Sequence, residues 1–444
     1  ILWSSSDENA LSVNEYGVIT ALGNEKKDVI VTAEVNKTDI KAEAIVHVVP
    51  KIDTIHAYIG DVNRLKIQED YQELLYGYDS DFVGTAWRGD FLSSKIVVTT
   101  RDKNVTGVEI KASDFINENG DVLNSSNIEI NWLKEVKANI GKFSPNAPVK
   151  DFPDVIHEGG PTDIEKQSVK FAWITLNVPE DTQPGIYEGT LTVSADGLEI
   201  PYELNYQIEV LDLLQPSVED VGTTVQIWQH PFSVAEYYGV KEEDYFTEEH
   251  FKYMRASMKE YYELGGRDVA ANIVEEPWNH QSYYGDPSMV KWTKKADGSW
   301  EFDYTWYDAW INFQIECGII NPEKSLGQIK CFSIVPWNNQ VTYFDESQNT
   351  TVKVSLTPGS DEWKEIWTEF LNDFMNHSME KGWFDITYIA MDERPIDMLI
   401  PTVELIESIK NENGDSFKIA SAFNFENTAH TDLTDNIDDI SISI

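Results

Sequence analysis

A change of rhythm near residue 220 constrains this chain more than any other feature. Before it, apolar residues recur at every second position, as in "ALSVNEYGVITALG", "SSKIVVTT" and "GIYEGTLTVSA". A period of two marks half-buried strands. After it, short apolar runs alternate with segments of helical period. The runs are "TVQIWQH", "VAANIVEEPW", "QIKCFSIVPW", "DITYIAMDERP", "FKIASAFN" and "ISISI". Between them lie "EEHFKYMRASMKEYYELG", "YDAWINFQIECG", "DEWKEIWTEFLNDFMNHSMEKGW" and "PTVELIESIKNEN". Apolar strands separated by helices predict a parallel sheet covered by those helices.

The fold class is therefore multidomain, β followed by α/β, and 444 residues suit two or three domains. We expect a partial immunoglobulin-like β module over 1–50, a β-sandwich over 51–218 and a (β/α)8 barrel of the TIM type over 219–444. No glycine fingerprint for a dinucleotide accompanies the strands, which favours the barrel over a doubly wound sheet. A barrel takes about 250 residues, so the final stretch is expected to stop before the last strands. Neither end reads as natural: the chain opens inside "ILWSSSD" and closes inside "DDISISI".

Charge and composition exclude several classes of function. The 77 acidic residues outnumber 34 basic ones, for a formal net charge of −43. Such a surface repels nucleic acid and anionic membrane. No run of 18 apolar residues is present, so membrane insertion is not expected. Cys317 and Cys331 are the two cysteines and build neither a disulfide framework nor a zinc spacing. No metal ligand motif, phosphate loop or G-x-S-x-G occurs, and we expect no cofactor and no metal. These residues specify no oligomeric state.

Acidic pairs are the candidates for chemistry, but about a dozen adjacent pairs are expected from composition alone. Position filters them. In a barrel the active site lies at the carboxyl ends of the strands. Asp7-Glu8, Glu180-Asp181 and Asp361-Glu362 fall in loops or helix starts. Glu275-Glu276 and Asp392-Glu393 end strands. The other strand ends supply His230, Trp278, Asn279, His280, Trp337, Asn338 and Asn424. Acids and amides bond hydroxyls and indoles stack on sugar rings, so these residues, with Glu275, are the expected glycan-binding set. Arg394 is the alternative partner of the Asp392-Glu393 pair, as a salt bridge at a strand end. An Arg-Gly-Asp triplet at 88–90 is too short a motif to carry an adhesive function.

Two resemblances extend this. Trp3 to Ser6, Val13 to Gly23 and the strands ending at Val49 resemble the group 2 bacterial immunoglobulin-like domain, without its first strands. "AWRGD", "VPEDTQPGIYEGTLTV", "QIWQHP", "EEPWNHQSYY" and "YIAMDERP" resemble glycoside hydrolase family 123, over roughly residues 55 to 444. That resemblance implies an exo-acting, retaining β-N-acetylgalactosaminidase. The substrate's own 2-acetamido oxygen would attack the anomeric carbon through an oxazoline intermediate. Asp392 would orient the acetamido N–H, and Glu393 would protonate the leaving oxygen and then activate water. The expected substrates are glycans with terminal β-GalNAc, such as glycosphingolipids, and the expected setting is a secreted or wall-attached bacterial protein. A β-hexosaminidase or other glycosidase of different sugar preference, and a non-catalytic glycan-binding adhesin, are the alternatives.

Overall fold

The computed structural model describes residues 1–23, 27–48, 54–139, 148–220, 224–282, 284–423 and 431–442. The chain divides into two compact units, Ile1–Gln215 and Pro216–Ile444.

The first unit contains β structure of two kinds. Strands Leu2–Ser5, Lys27–Glu34 and Lys41–Val48 form an antiparallel sheet with its own small core of Leu11, Val29, Val31 and Val48. Gly17 is required there: its φ is +80°, and a Cβ would lie 2.6 Å from the Trp3 ring. The remainder is a sandwich. A five-stranded sheet (Lys150–His157, Ile128–Ala138, Val169–Asn177, Phe91–Thr100, Ile55–Gly60) shares one core with a seven-stranded sheet. Ile96, Val98, Ala172 and Ile174 supply one side of that core, and Leu191, Val193, Leu204 and Ile208 the other. The Arg-Gly-Asp triplet is a turn between two of these strands. Gly89 takes φ +81°, the Asp90 carboxylate accepts from the Phe91 amide at 2.8 Å, and Arg88 pairs with Asp212 at 3.4 Å.

The second unit carries a five-stranded parallel sheet in the order Asp268–Asn272, Gln328–Phe332, Thr387–Met391, Lys418–Phe423, Asp439–Ile442. Its registers are regular, with Asn272 opposite Phe332, Phe332 opposite Ala390 and Ala390 opposite Ala420. One face packs on helices. Ile329, Cys331, Ile389 and Met391 meet Trp310, Trp363, Trp367, Phe370 and Phe374 there. The helix Asp361–Glu380 shows why: its apolar residues recur three and four apart, so Trp363, Ile366, Trp367, Phe370, Leu371 and Phe374 form one buried stripe. Ser360 caps its start by accepting from the Trp363 amide. The opposite face of the sheet carries the alternate residues Ala270, Phe332, Tyr388, Ala390 and Ala420.

Three features depart from the sequence reading. Among the described residues the expected strand "TVQIWQH" makes one parallel bridge, Val225 to Gly266. Beyond it the Gln229 carboxamide replaces the ladder, accepting from the Ala270 amide at 2.9 Å and donating to the Asp268 carbonyl at 3.1 Å. A side chain has taken the place of a peptide group, so the segment runs beside the sheet without counting as a strand. The helix expected over 248–265 is two pieces, Glu248–Phe251 and Arg255–Glu263. A second sheet was not anticipated: hairpins Lys291–Lys294/Trp300–Asp303 and Gln340–Asp345/Thr350–Ser355 join through a parallel pair at Thr293 and Phe344.

Candidate active site

The strand Thr387–Met391 positions the central residues. Ile389 and Met391 face the helices, while Tyr388 and Ala390 face the other side. Asp392 follows Ala390 by two, so the strand period places it on the Ala390 side. Its contact agrees: the Trp337 indole Nε1–H donates to Asp392 Oδ2 at 2.6 Å, and Trp337 itself packs against the cluster of Ala270, Trp278, Phe332, Tyr388, Ala390 and Ala420. A continued strand would send Glu393 toward the helices. The backbone instead leaves the ladder after Met391 and bends at Glu393, which is half-buried. Among the described residues no side chain hydrogen-bonds or ion-pairs with the Glu393 carboxyl. It is available to a ligand.

Arg394 is buried. Its guanidinium lies 4.9 Å from the Trp337 ring centre and donates to Asn339 Oδ1 at 2.9 Å. Burial lowers its pKa, and the nearby Asp392 charge raises it. Arg394 thus clamps the indole on one side while the indole N–H holds Asp392.

The aromatic cluster is a floor more than a stacking platform. Trp278 is 2% exposed and stacks on the half-buried Trp228 at 4.6 Å between centroids, with Phe332 beside both. It therefore supports the site and offers no open face to a sugar. Beside this floor lies a cavity of about 220 Å³ reached by Gln226, Trp228, Lys330, Phe332, Ala390 and Asp439. At its base Lys330 Nζ contacts Gln226 Oε1 (2.8 Å), Asp439 (3.3 Å) and Asp268 (3.7 Å). Burial pushes the Asp268 carboxyl up to about 6, with Lys330 opposing and Asp439 adding to the rise.

His230 is brought to this region as expected. It is half-buried, and its ring meets Trp278 edge-on at 5.6 Å. The Glu275-Glu276 pair divides. Glu275 pairs with Lys353 of the second sheet at 2.7 Å. Burial pushes its carboxyl up, and the hydrogen bonds from Lys353 and Thr342 outweigh that and leave it below its usual value. Glu276 is 8% exposed and builds the loop that follows: its carboxylate accepts from the amides of His280 (3.0 Å) and Asp286 (3.1 Å). Asn279 and His280 are exposed on that loop, at φ +51° and +61°. Asn338 spends its side-chain oxygen on the Gln340 amide at 2.9 Å, a turn-forming bond. Asn424 lies outside the described residues. Sequence reasoning missed Trp228 and the buried Asp286. The strand period could have found Trp228, two residues before His230. No local signal marks Asp286, which reaches His230 only through the fold.

A larger cavity, about 820 Å³, is elsewhere, between Trp132, His157 and Phe171 in the first unit. Trp132 and Phe171 are 8% and 3% exposed, so neither of these rings offers an open face to a sugar there. Among the described residues no group of three or more His, Cys, Asp or Glu side chains could hold a metal ion. Among the described residues no helix is long and apolar enough to cross a membrane.

Carboxyls at the carboxyl ends of parallel strands, above an aromatic floor, suit sugar chemistry, and comparison with known proteins gives the same class. Residues 228–444 match the family model for the glycoside hydrolase 123 catalytic domain, and residues 59–195 match that of the glycoside hydrolase 123 N-terminal domain. A solved family 123 glycoside hydrolase from Clostridium perfringens, described for glycolipid glycan hydrolysis, is 50% identical. The match covers 88% of this chain and 67% of that one, with a TM-score of 0.84. The chain belongs to glycoside hydrolase family 123. Two further solved structures are remote. The CooA pilin subunit of enterotoxigenic Escherichia coli is 11% identical at TM-score 0.21, covering 37% of this chain and 100% of its own. Domains 4 and 5 of the S-layer protein SbsC are 10% identical at TM-score 0.14, covering 47% and 69%. No curated protein matches the sequence.

Proposed function

We propose that this glycoside hydrolase is an exo-acting, retaining enzyme that releases terminal β-linked N-acetylgalactosamine by substrate-assisted catalysis. The observation that carries this is the Asp392 carboxyl, fixed by the Trp337 indole N–H at 2.6 Å, with the adjacent Glu393 carboxyl bound by no side chain among the described residues. The acetamido carbonyl oxygen attacks the anomeric carbon while Asp392 accepts the acetamido N–H. Glu393 gives its proton to the departing glycosidic oxygen, and the bond from the anomeric carbon to that oxygen breaks. An oxazolinium ring closes. Glu393, now a carboxylate, takes a proton from water as that water attacks the anomeric carbon and reopens the ring. No enzyme nucleophile is needed, unlike the usual retaining pair of carboxyls about 5–5.5 Å apart.

We further read the parallel sheet, with Gln226–His230 beside it, as part of a (β/α)8 barrel, and the sheet of residues 2–48 as an immunoglobulin-like module of a secreted or wall-attached bacterial protein. The Clostridium perfringens relative acts on glycolipid glycans, and glycolipids with terminal β-GalNAc are the substrates proposed here. The test is release of an aryl alcohol from aryl β-GalNAc. Glu393→Gln should lower turnover about 10²–10⁴-fold, the usual contribution of general acid–base catalysis, and Asp392→Asn should be severely impaired. Full activity of either variant refutes the assignment. Preference for aryl β-GlcNAc would move the enzyme to the hexosaminidases, and failure to bind a GalNAc thiazoline would exclude acetamido assistance. Glycan binding without turnover would make the chain an adhesin.

A further inference from the structure

The loop that leaves the strand Asp268–Asn272 is held in an unusual backbone. Glu276, Asn279 and His280 all take positive φ (+53°, +51°, +61°), a concentration of strained non-glycine residues within five positions. Such strain persists only where surrounding bonds impose it. The bonds are visible. The Glu276 amide donates to the Asp286 carbonyl at 2.8 Å, and the Asp286 amide donates back to Glu276 Oε1 at 3.1 Å. The loop is thereby closed on itself, and it delivers one side chain inward. Asp286 is 1% exposed.

That carboxyl meets His230. Asp286 Oδ1 is buried without a hydrogen-bond partner among the described residues and lies 3.6 Å from His230 Nδ1. Ser282 bridges the two: its hydroxyl donates to Asp286 Oδ2, and its oxygen lies 3.4 Å from the same His230 Nδ1. The direction of these bonds decides the tautomer. A hydroxyl has one proton, and that of Ser282 is committed to Asp286. Toward His230 the Ser282 oxygen can only accept, as can the carboxylate. Both neighbours of Nδ1 are acceptors, so Nδ1 carries the hydrogen. The grouping is not a nucleophile triad, because Ser282 gives its proton to the acid and not to the imidazole.

The other ring nitrogen is then defined by exclusion. Neutral His230 presents Nε2 as a lone-pair acceptor. The His230 ring is edge-on to Trp278, and Trp278 belongs to the same aromatic floor as Trp337, which holds Asp392. Among the described residues no group hydrogen-bonds to Nε2. We propose that Asp286, with Ser282, is a positioning residue that locks His230 as an Nδ1–H imidazole, so that Nε2 accepts a hydrogen bond from a hydroxyl of the bound sugar. This rests on the reading of the site as a glycosidase pocket.

Asp286→Asn supplies the sharpest perturbation. An asparagine turned with its NH2 toward His230 would donate to Nδ1, and the imidazole would have to carry its proton on Nε2 instead. The sugar hydroxyl would lose its acceptor. Two measurements on the full chain test this. Long-range 15N–1H spectra of 15N-histidine-labelled protein, taken where the ring is neutral and assigned by difference against His230→Gln, read the tautomer without substrate. Wild type should show Nδ1–H, Asp286→Asn should show Nε2–H, and Ser282→Ala, a milder change, should remain predominantly Nδ1–H. Kinetics on aryl β-GalNAc should show KM raised about 3- to 10-fold in Asp286→Asn, with a smaller change in kcat, as expected for one neutral hydrogen bond. In a His230→Ala background the same substitution should add nothing. An Nε2–H tautomer in wild type overturns the proposal. So does an unchanged KM in Asp286→Asn, or an equal effect of that substitution without the histidine. If wild type does not cleave aryl β-GalNAc, the glycosidase reading fails on its own, and the tautomer spectra still decide whether Asp286 sets His230.

Discussion

Replacing Trp337 by Phe isolates one hydrogen bond of the site. The indole N–H donates to Asp392 Oδ2 at 2.6 Å, while the ring packs on the aromatic cluster and lies under the Arg394 guanidinium at 4.9 Å. Phenylalanine keeps an aromatic ring for both packing roles and removes the donor with part of the indole, so the double-variant comparison below separates the two losses. A hydrogen bond to a charged group contributes about 1.5–3 kcal/mol. Trp337 and Asp392 are half-buried, so solvent can replace part of the bond, and about 1.5–2 kcal/mol is the appropriate share. That corresponds to a loss of roughly 10- to 30-fold in kcat/KM on aryl β-GalNAc. The loss should fall mainly on kcat, because a mis-turned Asp392 fails to hold the acetamido group as it attacks. In an Asp392→Asn background, Trp337→Phe should cost much less, since the two act together. Wild-type kcat/KM in Trp337→Phe would refute the orienting role of the indole. An equal loss in both backgrounds would show that the ring acts through packing alone.

The acidic neighbours Glu275 and Glu276 should behave oppositely. Glu275→Gln removes one partly exposed ion pair and should change stability by less than about 1 kcal/mol, with activity within about threefold. Glu276→Ala strands two backbone amides of the loop and should lower the melting temperature and activity together, by about 2–4 kcal/mol in stability; a stable, active Glu276→Ala would show that the loop holds without it. Asp268 predicts a pH dependence. Its folded pKa, about 6, stands above its ordinary value of 3.8, so the folded state binds the extra proton. Its cost to stability is absent below about pH 4, grows as pH rises, and is complete above about pH 6, at roughly 3 kcal/mol. Denaturant titrations of wild type and Asp268→Asn at pH 4 and pH 7.5 should therefore show wild type losing ground to the variant at the higher pH. A pH-independent difference would place the Asp268 titration elsewhere.

Much of the second unit was legible because its signals are local. Five of the six apolar runs became the parallel strands, and the buried stripe of Asp361–Glu380 follows from residues three and four apart. The strand end at Asp392 was legible for the same reason. The run "TVQIWQH" was legible as apolar and misjudged as a strand, because the Gln229 side chain took over its hydrogen bonds. The sheet of residues 291–303 and 340–355 escaped because its hairpins pair across some fifty residues.

What the sequence alone determined is the order of structural types and the neighbourhood of the chemistry. Periods of two and of 3.6 are written into the spacing of apolar residues, and strand ends are where polar residues interrupt them. What only the tertiary structure decided is which polar residue does what. Glu275 and Glu276 are indistinguishable in the sequence, yet one faces Lys353 and the other folds a loop. Trp278 and Trp337 both close apolar runs of the sequence and lie in the loops after their strands, yet one is sealed in the floor and the other holds Asp392. Asp286 lies 56 residues from His230 and meets it through Ser282. Hydrogen-bond direction and burial are properties of packed neighbours, and those neighbours come from distant parts of the chain.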